Sequence, residues 1–580
     1  MPRARLQSMA SESQIDFEFL RKQTVGIDAA ISTPFGARLM TYCDYTASGR
    51  CLAFVESYLM QLQRTYANTH TEDDVSGRSM TQLLHAAEEQ IKSSVNAGPH
   101  GRLIAIGAGS TAAIDKLQQI LGVQIPPATR ALMSEAIRAE KGEEFAAEYE
   151  AALERQRPVV FVGPYEHHSN EVTWRQGFAE VLEVRLAEDG GIDLEHLERL
   201  LQDPAWQGRL RIGSFSAASN VTGIKSSVKD IARLLHRHGA IACFDYAASA
   251  PYVEIDMNPD PGPEGGDASI DAVFISPHKF LGGPGSSGIL VFHERLYHDQ
   301  LPPSVGGGGT VEYVGPQGQD YIVDIEQREK AGTPGVLQTM KAAMAFEVKD
   351  AIGTEKIEAR EHELLVRAFD RWKKLPAIHI LGNQDPTRRI GIVSFNIRTS
   401  GGDWIHPRLL TVLLNDLFGI QSRAGCSCAG PYGHRLLDID VARAERYRHW
   451  VLEGYQGIKP GWCRLGFHYV MDDAEVDFII DAVEFLAEHG QSFVSLYDFD
   501  PHTGVWAHSS EQTIEEAFSL EAALHARRTE PEPLPSAIRQ DLYTRWLAEA
   551  RKVARDLETR PRPAPKKLEG EVGELQFFRL

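Results

Sequence analysis

Cysteine is scarce in this chain: six residues in 580, scattered from Cys43 to Cys463. So few in so long a chain do not make the disulfide framework of a secreted protein, and a reducing, cytoplasmic compartment is expected. Basic residues are also short, 60 Lys and Arg against 80 Asp and Glu, for a formal charge of −20. That balance argues against a broad nucleic-acid or anionic-membrane surface. No run approaches the roughly 18 apolar residues of a membrane span. The opening MPRARLQSMASESQIDFEF starts basic and turns acidic without the apolar stretch of a signal peptide. Internal repeats are absent as well. What remains is an ordinary soluble composition, long enough for two or three domains with sizeable cores.

Short apolar runs alternate with helical patterns between about residues 100 and 350. GRLIAIGAG (101–109), RPVVFVGPYEHH, LRIGSFSAASN, IACFDYAAS and DAVFISPHK each read as a strand that stops at polar residues. Between them lie helical segments such as SVKDIARLLHRHG, closed by the glycine expected just past a helix end. This alternation predicts an α/β fold with a mainly parallel sheet, and strand C-terminal ends are where such sheets gather their ligand sites. Residues 96–355 form the large domain on this reading, with a charged helical insertion at about 123–157. Residues 356–495 mix helix with the strands GIVSFNI and WCRLGFHYV and predict a smaller α+β domain. Residues 1–95 are expected to contribute to the small domain and to dimer contacts. Residues 496–580 form an extension with a long polar helix (DLYTRWLAEARKVARDLE), the linker RPRPAPKK and a strand-like ELQFFRL.

Four strand ends carry chemistry. FISPHKFLGGPGSSG delivers Ser276, His278 and Lys279 at the end of an apolar run. A lysine at the edge of a core loses solvation, which makes its amine available as a nucleophile; the alternative is a surface lysine. GAGSTAAIDKL places Ser110 and Thr111 at a helix start, where free N–H groups favour a phosphate, or where a plain helix cap would also sit. Asp245 ends IACFD as a carboxylate that needs a cationic partner if buried, either a protonated pyridine nitrogen or an arginine. His167 and His168 follow a strand, where one imidazole can stack on a flat ring. Adjacent residues on extended chain point opposite ways, which disfavours a shared metal, and no metal site is expected.

A lysine nucleophile, a phosphate cup, a carboxylate and a stacking histidine are what pyridoxal 5′-phosphate requires. The chain resembles the class V aminotransferase superfamily of fold type I, within it the cysteine desulfurase and selenocysteine lyase group, over roughly residues 38–490 without the insertion. The resemblance is carried by YCDYTASG, YANTH, GSTAAI, EHHSN, SNVTG, SPHK and AGTP (331–334), in order and spacing. It implies the fold-type-I architecture of a large α/β domain with a smaller α+β domain. Lys279 becomes the lysine that bonds the cofactor, Asp245 the partner of its ring nitrogen and His167 the stacking histidine. Ser110, Thr111, Ser276 and His278 would hold the phosphate. Thr333 would reach the other subunit's phosphate in a homodimer. Asn220 would stand near the cofactor and the substrate carboxylate, and Arg464 in WCRLGF would pair with that carboxylate.

RAGCSCAG (423–430) lines up with the family's cysteine loop, which puts Cys428 at the persulfide-forming position and implies a protein that accepts its sulfur. Arg423 and His434 are expected to favour its thiolate. A C-x-C here also resembles the molybdenum-cofactor sulfurases, and Cys426 is left as a sulfur relay, a disulfide partner or an inert residue. A zinc site from Cys426, Cys428 and His434 would lack the C-x2-C pairing of most structural sites; a buried structural pair is a further alternative. Ala248 stands where many desulfurases place a residue that touches the cofactor. The function implied is removal of sulfur from L-cysteine or a related thiol or selenol amino acid. The alternatives are a C–S lyase, epimerase or aminotransferase acting on another amino acid, or a non-catalytic sulfur-transfer or scaffolding protein.

Overall fold

The computed structural model describes residues 15–580 apart from 70, 72, 263, 264, 511–517, 526–531 and 561–565. His70 of YANTH and most of the linker RPRPAPKK therefore lie outside the described residues. The chain divides into two compact units, residues 48–355 and residues up to 47 together with 356–580. Residues 48–95 thus fold with the larger unit.

The larger unit is built on seven strands: β1 (Gly101–Ile106), β2 (Val159–Val162), β3 (Glu180–Glu183), β4 (Arg211–Ser216), β5 (Ile241–Asp245), β6 (Ala272–Ile275) and β7 (Gly288–His293). Their spatial order is β1-β7-β6-β5-β4-β2-β3. The pairs β2–β3, β2–β4, β4–β5 and β5–β6 are parallel, while β7 runs antiparallel to both β1 and β6. Every residue of β2 and β6 is buried. That is why these strands read as continuous apolar runs, as sheets covered on both faces do. Ile114 and Leu117 of the helix Ser110–Ile120 join Val160, Val162, Phe274 and Phe292 in one buried cluster. The helix Val228–Arg237 closes as its sequence predicts: Gly239 takes φ +67 and the Ala240 N–H donates to the Leu235 carbonyl at 2.9 Å. The charged insertion forms two helices, Pro127–Lys141 and Glu143–Gln156, with one buried side chain, Ala146, between them.

The smaller unit holds an antiparallel sheet of β8 (Ile378–Ile380), β9 (Ile392–Ile397), β10 (Arg423–Gly425) and β11 (Trp462–Gly466), in the order β8-β9-β11-β10. Arg423 lies directly opposite Arg464 across β10 and β11. The extension belongs to this unit. Its helix Ser536–Glu558 packs on Asp473–His489, with Tyr543 stacked on Phe478 at 4.0 Å between ring centroids. A buried charge cluster fastens the same helix: Arg21 pairs with Glu475 at 2.7 Å and with Asp28 at 3.2 Å, and Arg539 pairs with Asp472. The final segment ELQFFRL is not a strand throughout. Its first two residues end the helix Gly570–Leu575, and only Phe578 forms a bridge, with Trp404. The leucine of that helix is needed in the apolar cluster with Tyr447 and Ile458, a demand that overrides local β-propensity.

Candidate active site

The C-terminal ends of the strands in the larger unit surround a cavity of about 680 Å³. Ser110, Thr111, His167, Asn220, Asp245, Ser276, His278 and Lys279 all line it, and Ala248 does so too. Strand alternation with short polar stops has this effect: each buried run fixes its last residue, and the loop that follows turns into the crevice.

Gly109 starts the phosphate-cup segment. A Cβ there would lie 3.0 Å from both the His278 ring and Ser276 Oγ, so only glycine lets these groups close around the helix start. The Ser110 N–H donates to Ser276 Oγ at 2.8 Å, tying the helix start to the end of β6. Thr111 Oγ1 lies 2.7 Å from Ser169 Oγ. His278 Nδ1 stands 2.7 Å from the Ala108 carbonyl, which makes it the donor and fixes the tautomer with the proton on Nδ1. Burial lowers the His278 pKa, so this ring is neutral at neutral pH. His167 lines the cavity while His168 does not, as opposite-pointing neighbours should. Its Nδ1 accepts from the Ser169 N–H at 3.1 Å, which sets the angle of the ring.

Asp245 is fully buried. Its Oδ1 accepts from the Ala247 N–H at 2.9 Å. Burial pushes its pKa up, while the Ala247 bond, the Lys279 charge and the Ser110 hydroxyl pull it down. A buried carboxylate with neutral donors and one lysine nearby is suited to a protonated heterocyclic nitrogen. Donor groups at a helix start for a phosphate, a lysine amine and an imidazole complete a set that fits pyridoxal 5′-phosphate.

Beneath this set lies a network that the sequence pattern did not reveal. Glu166 is fully buried. It accepts from the Gly163 N–H at 3.1 Å, the Ser216 N–H at 2.8 Å, Ser216 Oγ at 2.6 Å and Asn170 Nδ2 at 2.7 Å. Burial raises its pKa from an ordinary 4.5 to about 7, against the pull of those hydrogen bonds and with the help of Asp245. Asn170 Oδ1 in turn accepts from Ser214 Oγ and from the Trp174 indole. The available signal was the Glu and Asn of EHHSN, spaced i and i+4 around the histidines.

Thr333 is placed elsewhere on the larger unit. It is exposed, accepts from Asn68 Nδ2 at 3.3 Å, and lines a separate depression with Tyr66 and Gln338.

The cysteine loop is a reverse turn of defined type. The Ala429 N–H donates to the Cys426 carbonyl at 3.0 Å, and the two central residues, Ser427 and Cys428, have φ of +50 and +56. Positive φ at both centres makes a type I′ turn, which Asn and Gly normally occupy. Ser427 is held there by the indole N–H of the buried Trp462, 3.1 Å from its Oγ. Cys428 is exposed and Cys426 half-buried, and no disulfide joins them. Among the described residues no cluster of three or more His, Cys, Asp and Glu side chains forms a metal site.

Asp44 clamps the two facing arginines, at 2.8 Å to Arg423 Nε and 3.1 Å to a terminal nitrogen of Arg464. Burial lowers the Arg464 pKa, and the negative charges of Asp44 and Cys428 act in the opposite sense. Burial lowers the His434 pKa, so this ring is uncharged at neutral pH.

Comparison with known proteins agrees with this geometry. The model of the family described as Aminotransferase class-V matches residues 142–479, more than half of the chain. A protein named probable cysteine desulfurase from Halalkalibacterium halodurans is 28% identical over 427 residues, covering 73% of this chain and 92% of its own. One of the same name from Streptomyces coelicolor is 26% identical over 476 residues, covering 81% and 97%. The crystal structure of the cysteine desulfurase CsdA from Escherichia coli superposes with a TM-score of 0.60 at 21% identity, over 82% of this chain and 99% of that one. That likeness identifies the architecture as the fold-type-I transferase fold. The chain belongs to the class V aminotransferase family.

Proposed function

We propose that this protein is a cysteine desulfurase that uses pyridoxal 5′-phosphate. It converts L-cysteine to alanine and leaves the sulfur as a persulfide on Cys428. The observation that carries the reading is one cavity lined by Lys279, Asp245, His167 and the Ser110–Thr111 helix start, in a chain that also presents an exposed thiol on a shaped turn. The names of the relatives support the same reaction.

The cofactor, when bound, stabilises negative charge that develops at the carbon atoms of the bound amino acid. Lys279 holds it and moves the proton of the substrate Cα. Asp245 keeps the ring nitrogen protonated through its buried carboxylate, and His167 covers the ring face. Ser110, Thr111, Ser276 and His278 hold the phosphate, with Thr333 serving the partner subunit of a homodimer. Arg464, held in place by Asp44, takes the substrate carboxylate, and Asn220 serves the cofactor from the lining of its own cavity. The Cys428 thiolate attacks the substrate sulfur. The bond between that sulfur and Cβ breaks, Cβ gains a proton, and the persulfide forms. One cysteine and one thiol give one alanine and one persulfide, so atoms and electrons balance. A cytoplasmic sulfur-acceptor protein then resets the thiol.

Borohydride reduction followed by peptide mapping, with alanine measured against L-cysteine, tests the reading. Cofactor fixed on Lys279 together with alanine formation is the expected result. Cofactor fixed on Lys279 with pyruvate, a racemised amino acid or a keto acid as the product would replace it with a lyase, epimerase or aminotransferase.

A further inference from the structure

Several arginines of the smaller unit have no carboxylate partner among the described residues, and two of them, Arg398 and Arg443, share one cavity. Arg21, Arg371, Arg464 and Arg539 all have carboxylate partners, but Arg398 and Arg443 have none among the described residues. Each instead lies over an aromatic ring, Arg398 4.5 Å from the centroid of Trp404 and Arg443 5.6 Å from that of Tyr447. Both line one cavity of about 430 Å³, within the range of small-molecule sites. Asp438 is the one carboxylate on its wall, so the lining carries a net positive charge in a chain of charge −20.

The remaining wall defines what fits. Trp404 and Phe577 are half-buried and present ring surface to the cavity. Phe577 comes from the C-terminal extension, and the Trp404 N–H and carbonyl bond to the backbone of Phe577 and Arg579. The extension therefore builds this cavity, a role that the desulfurase reading does not give it. Asn396 also lines it, is 4% exposed, and donates from Nδ2 to the Gly461 carbonyl at 3.1 Å, while its Oδ1 has no hydrogen-bond partner. A buried amide oxygen without a donor is an uncommon feature that a ligand N–H would satisfy.

We propose that this cavity is a second ligand site, for a phosphate ester carrying a flat, amino-substituted ring, of the size of a nucleoside monophosphate. Two guanidinium forks, pre-oriented by their aromatic rings, suit a phosphate. The exposed edges of Trp404 and Phe577 suit the ring, and Asn396 suits its amino group.

The site also has a physical route to the cysteine turn. Gly461, which lines the cavity, lies so close to Gly425 that a Cβ on it would stand 2.8 Å from the Gly425 carbonyl. Gly425 is the residue before Cys426. Leu436 and Leu437, which also line the cavity, are the last residue and the C-cap of the helix that starts at Gly430, just after the turn. Occupancy braces both ends of the Cys426–Ala429 turn and slows the movement that carries the exposed Cys428 thiol to a reagent.

The test is calorimetry on the full-length protein with adenosine 5′-monophosphate, adenosine and inorganic phosphate, repeated with Arg398→Ala and Arg443→Gln. Both substitutions are at exposed positions, and their melting temperatures report intact folding. One equivalent of the nucleotide is expected to bind, with each variant weakening it at least tenfold and adenosine binding far more weakly. No binding of the nucleotide at millimolar concentration, or undiminished binding in both variants, would overturn the site. Phosphate binding as tightly as the nucleotide would overturn the ring subsite. Alkylation of Cys428, followed by mass, should slow several-fold on adding the nucleotide, and an unchanged rate would overturn the link to the turn. None of these readouts depends on desulfurase activity.

Discussion

In the larger unit Ser110, Thr111, His167, Asp245, Ser276 and His278 stand at or just after the ends of buried strands or at the helix start beside them, each held by a hydrogen bond to a neighbour. In the smaller unit Cys428 is exposed on a turn whose two central residues have positive φ, anchored by one indole N–H. The first arrangement fixes groups that must meet a rigid cofactor. The second stores backbone strain, on the order of 1–3 kcal/mol per residue, at a group that must approach one partner and then another. Rigidity and strain divide along the two halves of the proposed chemistry, capture of the amino acid and carriage of its sulfur.

The largest effect is expected on the rigid side. Lys279→Ala should lower alanine formation by about 10²–10⁴-fold or more, the usual scale for loss of a positioned proton-transfer group. Borohydride should then leave no cofactor on the protein. A variant that kept most of its turnover would show that the strand-end cavity does not hold the reacting groups.

Next comes the buried carboxyl beneath the cavity. The native pKa of Glu166 is raised to about 7 from 4.5. Below pH 4.5 the folded and unfolded chains both hold this proton. Between there and pH 7 only the unfolded chain gives it up readily, so the native state loses stability as pH rises, by up to about 3 kcal/mol. Denaturant midpoints from pH 5 to 8 should fall more steeply for the wild type than for Glu166→Gln. Equal slopes would mean that the carboxyl titrates at its ordinary value.

Arg464→Lys should reduce kcat/KM for L-cysteine about 10–100-fold, with the cofactor absorbance unchanged. The bidentate fork is lost while Asp44 keeps a cationic partner. The smallest effect belongs to the turn. Ser427→Ala removes the acceptor of the Trp462 indole N–H without cutting into the core, which should cost about 1 kcal/mol and speed alkylation of Cys428 a few-fold. An unchanged rate would make the anchor irrelevant to the thiol.

The strand ends were legible because a parallel sheet covered on both faces writes its buried strands as apolar runs and its site as the polar stops that follow. Lys279, Asp245, His167 and the Ser110 helix start could be read from that pattern, and the structure brings them into one cavity. The supporting contacts could not. Glu166 meets Ser216 fifty residues away, and Asp44 meets Arg464 at a separation of 420. No local period marks such pairs. The same holds for the break after Ala47, which depends on which unit buries the N-terminal residues. The place of the extension was hidden because Tyr543 and Phe577 find their partners only in the folded unit. Burial, which sequence spacing does not show, also lowers the His434 pKa.

The decisive measurement of sulfur transfer to Cys428 is intact mass after anaerobic incubation with L-cysteine, on the wild type beside Cys428→Ser and Cys426→Ser. One added sulfur atom is expected on the wild type and on Cys426→Ser, and none on Cys428→Ser, with the cofactor still bound to Lys279 in all three. Sulfur retained on Cys428→Ser, or alanine formed with no added sulfur on the wild type, would contradict that transfer.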